Sequence, residues 1–264
     1  IAATTLSDIG GKTTGAVTLQ NKVRIQGSQS EVATALVGDS SVAASQGNTE
    51  ARVTTAVNVN QGEEIAGVNN IQGIFASGVS DSLSSLASGG NSTAKLNTIT
   101  GDDGDVAITV SDSAFTTSNA TLTAADLIAV GGATTGTVTV TNAVKISGNT
   151  SQLTNTLVSG SSSVTASSAL VTVSDAAFTT SNATIAATTL SDIGGKTSGA
   201  VTVTKAVKII GSSSDLTNTM VSSSSSVIAG SALVTVSDAA FTTSNAAIAA
   251  TTLSDIGGKT TGAV

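Results

Sequence analysis

VTVTNAVKISG, residues 138–148, alternates apolar and polar side chains as a half-buried strand does. A weaker partner, VTVSDA, stands at 171–176, and the pair returns as VTVTKA at 201–206 and VTVSDA at 234–239. The starts Val138, Val171, Val201 and Val234 are spaced 33, 30 and 33 residues apart. Working outward, Phe115, Phe178 and Phe241 recur every 63 residues, as do Leu127, Leu190 and Leu253. Residues 121–183 and 184–246 are therefore two 63-residue repeats, and 247–264 begins a truncated third.

Each half-repeat joins a Val-Thr-Val strand to a segment long enough for one or two helical turns. One is SQLTNTLV at 151–158, with Ser or Thr as N-cap; the other is AADLIAV at 124–130, stopped by Gly131-Gly132. Residues 1–120 carry divergent rungs. VTLQNKVRIQG at 17–27 matches 138–148, and VTTAVNVN at 53–60, IFASGVSDSLSSLA at 74–87 and VAITVSD at 106–112 read as three more. QGEEIAGVNNI at 61–71 is the helix of the shortest. Eight rungs of about 31 residues fall within the size of stacked repeats. The expected fold is one continuous repeat solenoid over 1–264: a parallel β-sheet of short strands, completed by short helices or turns. The alternative is an all-β solenoid in which the helices are turns. Residues 1–17 and 248–264 are identical, IAATTLSDIGGKTTGAV. This suggests an interior piece of a longer tandem array that associates with neighbouring repeats or with itself, because open strand edges template pairing.

Composition narrows the function. Apolar residues make up 39%, mostly small or β-branched, and charged residues 10%, against roughly 25% in an ordinary domain. The core must be thin. The chain has no His and no Cys, so no Ser-His-Asp triad, thiolate zinc site or haem ligand set can be built, and no enzyme is expected. A net charge of −7 argues against nucleic acid, whose phosphates need clustered Lys and Arg. No apolar run is long enough to span a membrane.

LSDIGGKTTG at 6–15 recurs at 190–199 (as LSDIGGKTSG) and at 253–262. Gly-Gly-Lys-Thr resembles the tail of a phosphate loop, but Leu6, Leu190 and Leu253 stand where that loop needs its first glycine. In a fourth copy, LIAVGGATTG at 127–136, Ala133 replaces the lysine. The reading is a helix stop leading into a strand, with no nucleotide bound.

Four further patterns are candidates. TGDDGDV at 100–106 crowds Asp102, Asp103 and Asp105 among glycines, the oxygen-rich loop that calcium takes, or else a solvated Asp-Gly turn. Outward rows Thr109/Ser111, Thr139/Thr141, Thr172/Ser174, Thr202/Thr204 and Thr235/Ser237 form either an ordinary exposed β-face or an ice-binding surface. The next position gives a column of Asp112, Asn142, Asp175, Lys205 and Asp238, either a charge-compatible stack or a weak divalent-ion site. Phe115, Lys145, Phe178, Lys208 and Phe241 share a further position. There the rings either meet the lysines or, the preferred reading, turn inward as core. The serine runs at 161–163 and 222–226 read as surface loops.

The phrases AADLIAV-GG-TTG-VTVT, ISG-TSQLTNTLVS and VTVSD are similar to the tandem repeats of very large bacterial cell-surface proteins, above all the motility-associated ones of marine cyanobacteria. The likeness covers roughly 120–264 well and 1–60 in part, and carries no active-site residues. It implies an extracellular, non-enzymatic structural protein: a building block of a filament, surface layer or adhesin stalk, with cell-surface polysaccharide as a further partner. The alternative is a ligand-binding adhesin module, calcium-dependent or ice-binding, with no cofactor other than calcium.

Overall fold

A computed structural model describes the chain except residues 39–41, 46, 48, 120, 161–163, 181–183, 223–225, 241 and 243–246. The chain is mixed α/β, with several parallel sheets of short strands. It forms two compact units, Ile1–Asp112 with Ala129–Thr139, and Ser113–Ile128 with Val140–Val264.

In the second unit the strands Leu122–Thr123, Lys145–Gly148, Leu170–Val173, Val201–Val203 and Val227–Ile228 form one parallel sheet. Its inward column is Leu122, Ile146, Val171, Val201 and Val227, each paired with the next and all buried. A second parallel sheet joins Ile185–Ala186, Lys208–Gly211 and Leu233–Val236, with Ile185, Ile209 and Val234 in its column. From Leu170 onward, successive strands alternate between the two sheets.

This pairing corrects the register expected from sequence. Val171 and Val201 are partners, but Val138 and Val234 lie in two other sheets. VTVTNAVKISG is two strands, Val138–Val140 and Lys145–Gly148, separated by a tight turn in which Val144 N donates to Asn142 O at 2.8 Å. The second strand has only one fully buried apolar side chain, Ile146, too weak a period to separate from its neighbour. The 31-residue rung thereby shortens. Paired strands such as Ile146 and Val171 lie 25 residues apart, the separation that also divides Thr150 from Asp175. Five strands begin between Leu122 and Ile185 among the described residues. Five is odd, so equivalent strands of consecutive 63-residue repeats fall in different sheets.

The helices are real, which removes the all-β alternative. Ala124–Ala133 and Ala187–Gly194 follow directly on two-residue strands. Thr150–Leu153 and Ser213–Leu216 begin at reciprocal capping boxes, Asn149 with Gln152 and Ser212 with Asp215. Each then widens into a π-helical turn, Thr154–Val158 and Thr217–Val221. Thr156 and Thr219 are buried in these turns, and their hydroxyls donate to the carbonyls of Ala124 (3.1 Å) and Ala187 (2.9 Å). The core is a file of single large side chains, Leu153, Leu190, Ile193, Ile209 and Leu216, each wholly buried.

In the first unit Arg24–Gly27, Thr49–Val53 and Ile71–Phe75 form a three-stranded parallel sheet. The strand expected in VTTAVNVN thus lies mostly ahead of it. The helix expected in QGEEIAGVNNI runs Val59–Ala66. Val79–Asp81 and Ile108–Val110, from the two remaining predicted rungs, pair in parallel. Leu6, Ile25, Ile65, Leu86, Leu96 and Ile99 fill this core.

Candidate functional site

The Gly-Gly-Lys-Thr copies lie where helices Ala3–Gly10, Ala187–Gly194 and Ala250–Gly257 end. A phosphate loop sits at a helix N-terminus, where N–H groups and the positive dipole end face the ligand. Here the dipole end is negative. The loop N–H groups are also used internally: Gly195 N donates to Ser191 O at 2.8 Å and Lys196 N to Ile193 O at 3.1 Å. The threonine after the lysine has a different task. Thr197 is buried; its hydroxyl donates to Ala169 O at 2.5 Å and accepts from Gly199 N at 3.1 Å. Thr134 repeats this with Val106 O (2.7 Å) and Gly136 N (2.9 Å), and Thr260 with Ala232 O (2.5 Å) and Gly262 N (3.0 Å). The motif is a staple between chain segments about one turn of winding apart.

The aspartates of the VTVSD phrase do not form a column, because Leu170–Val173 and Leu233–Val236 belong to different sheets. Each carboxylate instead caps a helix that starts earlier in the chain. Asp175 accepts from Thr150 N (2.7 Å) and Oγ1 (3.0 Å), and Asp238 from Ser213 N (2.6 Å) and Oγ (3.1 Å). Asp112 accepts from Leu83 N at 2.6 Å and Asp81 from Val59 N at 3.1 Å. A negative charge on first-turn N–H groups offsets the helix dipole. Sequence reasoning missed this role. Its signal is an Asp two residues past the last strand valine, with a Ser- or Asn-led helix start some 25 residues upstream.

The outward threonine rows are also broken up. Thr123, Ser147, Thr172, Thr202 and Ile228 are successive partners in the five-stranded sheet, while Thr235 is paired with Ile210 in the other. Lys145 stands 5.1 Å from the ring centroid of Phe115, and Lys208 lies 5.3 Å from that of Phe178. Both rings are half-buried, so they shield lysines at the surface and do not enter the core as preferred from sequence. Phe75 is the fully buried phenylalanine among those described. Phe241 and residues 161–163 and 223–225 lie outside the described residues.

TGDDGDV closes the end of helix Ala94–Asp102. Asp102 Oδ2 accepts from Gly73 N and Asp103 Oδ2 from Phe75 N, both at 2.7 Å. These N–H groups lie on the edge of strand Ile71–Phe75 that no further strand covers in its sheet. The two carboxylates therefore terminate the sheet, a blocked edge that resists pairing with another chain. Asp105 is exposed. Among the described residues no three acidic groups converge as a metal-holding cluster. Burial raises the pKa of both carboxyls above the ordinary aspartate value. For Asp103 the hydrogen bond and negative charge of Asp105, and the charge of Asp102, push the same way, while the Phe75 N–H opposes them.

A group whose folded pKa is raised contributes stability that is fully present below its unfolded pKa and is lost as pH rises through the folded value. Asp103→Asn, which retains an acceptor and discards the charge, should flatten the fall in stability just above the ordinary aspartate range. Asp103→Ala leaves the buried Phe75 N–H unanswered and should cost about 1–3 kcal/mol at neutral pH. Urea melts of the three proteins across pH 3–7 measure both; identical slopes for wild type and Asp103→Asn would contradict the assignment.

No family model, no curated protein and no solved structure matches the chain. No helix among the described residues is long and apolar enough to cross a membrane.

Proposed function

We propose that the chain is a non-enzymatic structural component of an extracellular assembly, such as a filament, surface layer or adhesin stalk. In this reading each unit is a short solenoid, wound through alternating sheets with roughly 25 residues between paired strands. One observation carries the proposal: the polar side chains that recur with the repeat are spent on the scaffold. Thr197 and Thr260 staple turns, Asp175 and Asp238 cap helices, and Thr156 and Thr219 tie π-turns to helix starts. An array built to extend needs such reach and repetition, with contacts to further repeats or to a second copy. The similarity of its phrases to repeats of large bacterial cell-surface proteins supports an outer-surface location.

The adhesin alternative is less well served. Calcium would have to compete with two strand N–H groups for Asp102 and Asp103, and an ice lattice would meet Ser147 and Ile228 within its threonine column. The experiment is labelling of intact producing cells with a membrane-impermeant amine reagent. Exposed lysines such as Lys196 should be modified without lysis. Modification only after lysis would overturn the proposal.

A further inference from the structure

Three helices have the same sequence, ATTLSDIG, and differ only in what covers them. Ala187–Gly194 packs between Thr154–Val158 before it and Ser213–Val221 after it, and both Leu190 and Ile193 are fully buried. Ala3–Gly10 packs on Gln29–Ala33 and Thr34–Gly38; it buries Leu6 (2% exposed) and leaves Ile9 51% exposed. Ala250–Gly257 packs on Thr217–Val221; it buries Ile256 (0%) and leaves Leu253 39% exposed. The two outer helices thus have complementary uncovered faces.

We infer that the chain associates head to tail by segment exchange: residues 248–264 of one copy displace the identical residues 1–17 from their seat on residues 24–44 of another. The inference rests on the self-association included in the proposed function and names its partner, a second copy of this chain. The resident segment binds that seat in three ways. Leu6 is buried against residues 24–38, Ala2 forms a parallel bridge to Gln26, and Val17 pairs with Val42. The donor segment has the same residue at every one of these positions: Leu253, Ala249 and Val264. Transfer therefore preserves each contact in kind.

The gain lies in the donor. Its Ile256 face is already held by its own unit, so seating Leu253 on the second copy would bury both faces, the state Ala187–Gly194 has within the chain. Ile248, 37% exposed, would be covered like its counterpart Ile185, 6% exposed. Each exchange frees one N-terminal segment and leaves a new donor at the far end. The contact is heterologous and does not close on itself, which makes filaments of indefinite length.

The signature is that one substitution has opposite effects in two identical helices. Leu6→Ala loosens the resident and should move the onset of association to roughly tenfold lower concentration. Leu253→Ala weakens the donor and should move it roughly tenfold higher. Sedimentation velocity over a concentration series reads both. Cysteine pairs locate the contact, and the chain's lack of native Cys keeps the readout clean. Thr4, Ser7 and Asp8 line one groove with Ser30, Glu31 and Thr34, and Ser254 is the counterpart of Ser7. Ser254→Cys with Thr34→Cys should give covalent head-to-tail multimers on oxidation, and Ser7→Cys with Thr34→Cys an intrachain bond.

Covalent multimers together with opposed shifts support the exchange. Shifts of the same sign, no intermolecular disulfide at concentrations where the chain associates, or a monomer throughout would each overturn it. None of these outcomes touches the surface-labelling result, so the two proposals fail separately.

Discussion

Gly199→Ala should destabilise the second unit by about 3 kcal/mol, while Gly195→Ala, four residues earlier in the same turn, should change little. Gly195 caps its helix with φ −67°, a right-handed conformation open to any residue, and a Cβ there would meet Ser191 O at an ordinary 3.5 Å. At Gly199 a Cβ would be driven into the carbonyl of Ala169. That carbonyl accepts the Thr197 hydroxyl, and the adjoining backbone is fixed by Ser198 N to Ser167 O (2.8 Å) and Val171 N to Ala200 O (2.9 Å). Neither strand can retreat without breaking bonds worth about 1 kcal/mol each. Gly136 and Gly262 face the same obstruction from Asp105 and Ala232. Denaturant midpoints of the two variants decide the matter, with amide exchange at residues 197–203 locating the damage. Equal effects would mean that the helix stop, and not the close approach, is what the motif preserves.

The contrast shows what could be read from sequence. The helix stop was legible because Gly-Gly follows an apolar helical segment, a local pattern. The reason for the glycine in the final Thr-Gly or Ser-Gly was not, because it depends on a carbonyl 30 residues away whose position no local pattern reports. The same division runs through the rest. The alternation of Val138–Val140 and Leu170–Val173 marked them as strands, and the repeat made parallel pairing the natural expectation. Which strand met which depended on Lys145–Gly148, whose single buried Ile146 gives little periodicity. Missing one strand in each repeat turned five into an even number and merged two sheets into one. The aspartates were noticed as chemistry, but their partners are backbone N–H groups, which every sequence has and none displays. Asp102 and Asp103 invited a metal reading for that reason: three carboxylates in a glycine-rich loop look unpaired until a strand edge is laid beside them.

Leu190→Ala should cost about 2–5 kcal/mol, the range for emptying a fully buried leucine site, and Leu253→Ala less than about 1 kcal/mol in the isolated chain at dilution. The helices share all eight residues, so the change in helix propensity and the unfolded state's local preferences cancel between them. What remains is packing. Leu190 is enclosed by turns on both sides; Leu253 has one face to solvent. The isoleucines reverse the order. Ile256→Ala should be costly and Ile9→Ala nearly silent, since Ile256 is fully buried and Ile9 is 51% exposed. A thin core makes this sharp, because each large side chain is the principal filling of its layer and few neighbours can move in to close the gap. Thermal and urea melts of the four variants form a square in which the effect follows burial and not residue type. If Leu190→Ala and Leu253→Ala were equally harmful in a monomeric sample, helix Ala250–Gly257 would have to be covered on both faces, and the asymmetry that makes it a donor would vanish. If the square holds, stability of the winding is supplied by adjacent repeats covering one another, so an added repeat gains more than its own helix could hold alone. That cooperativity between neighbours is what an extended structural array requires.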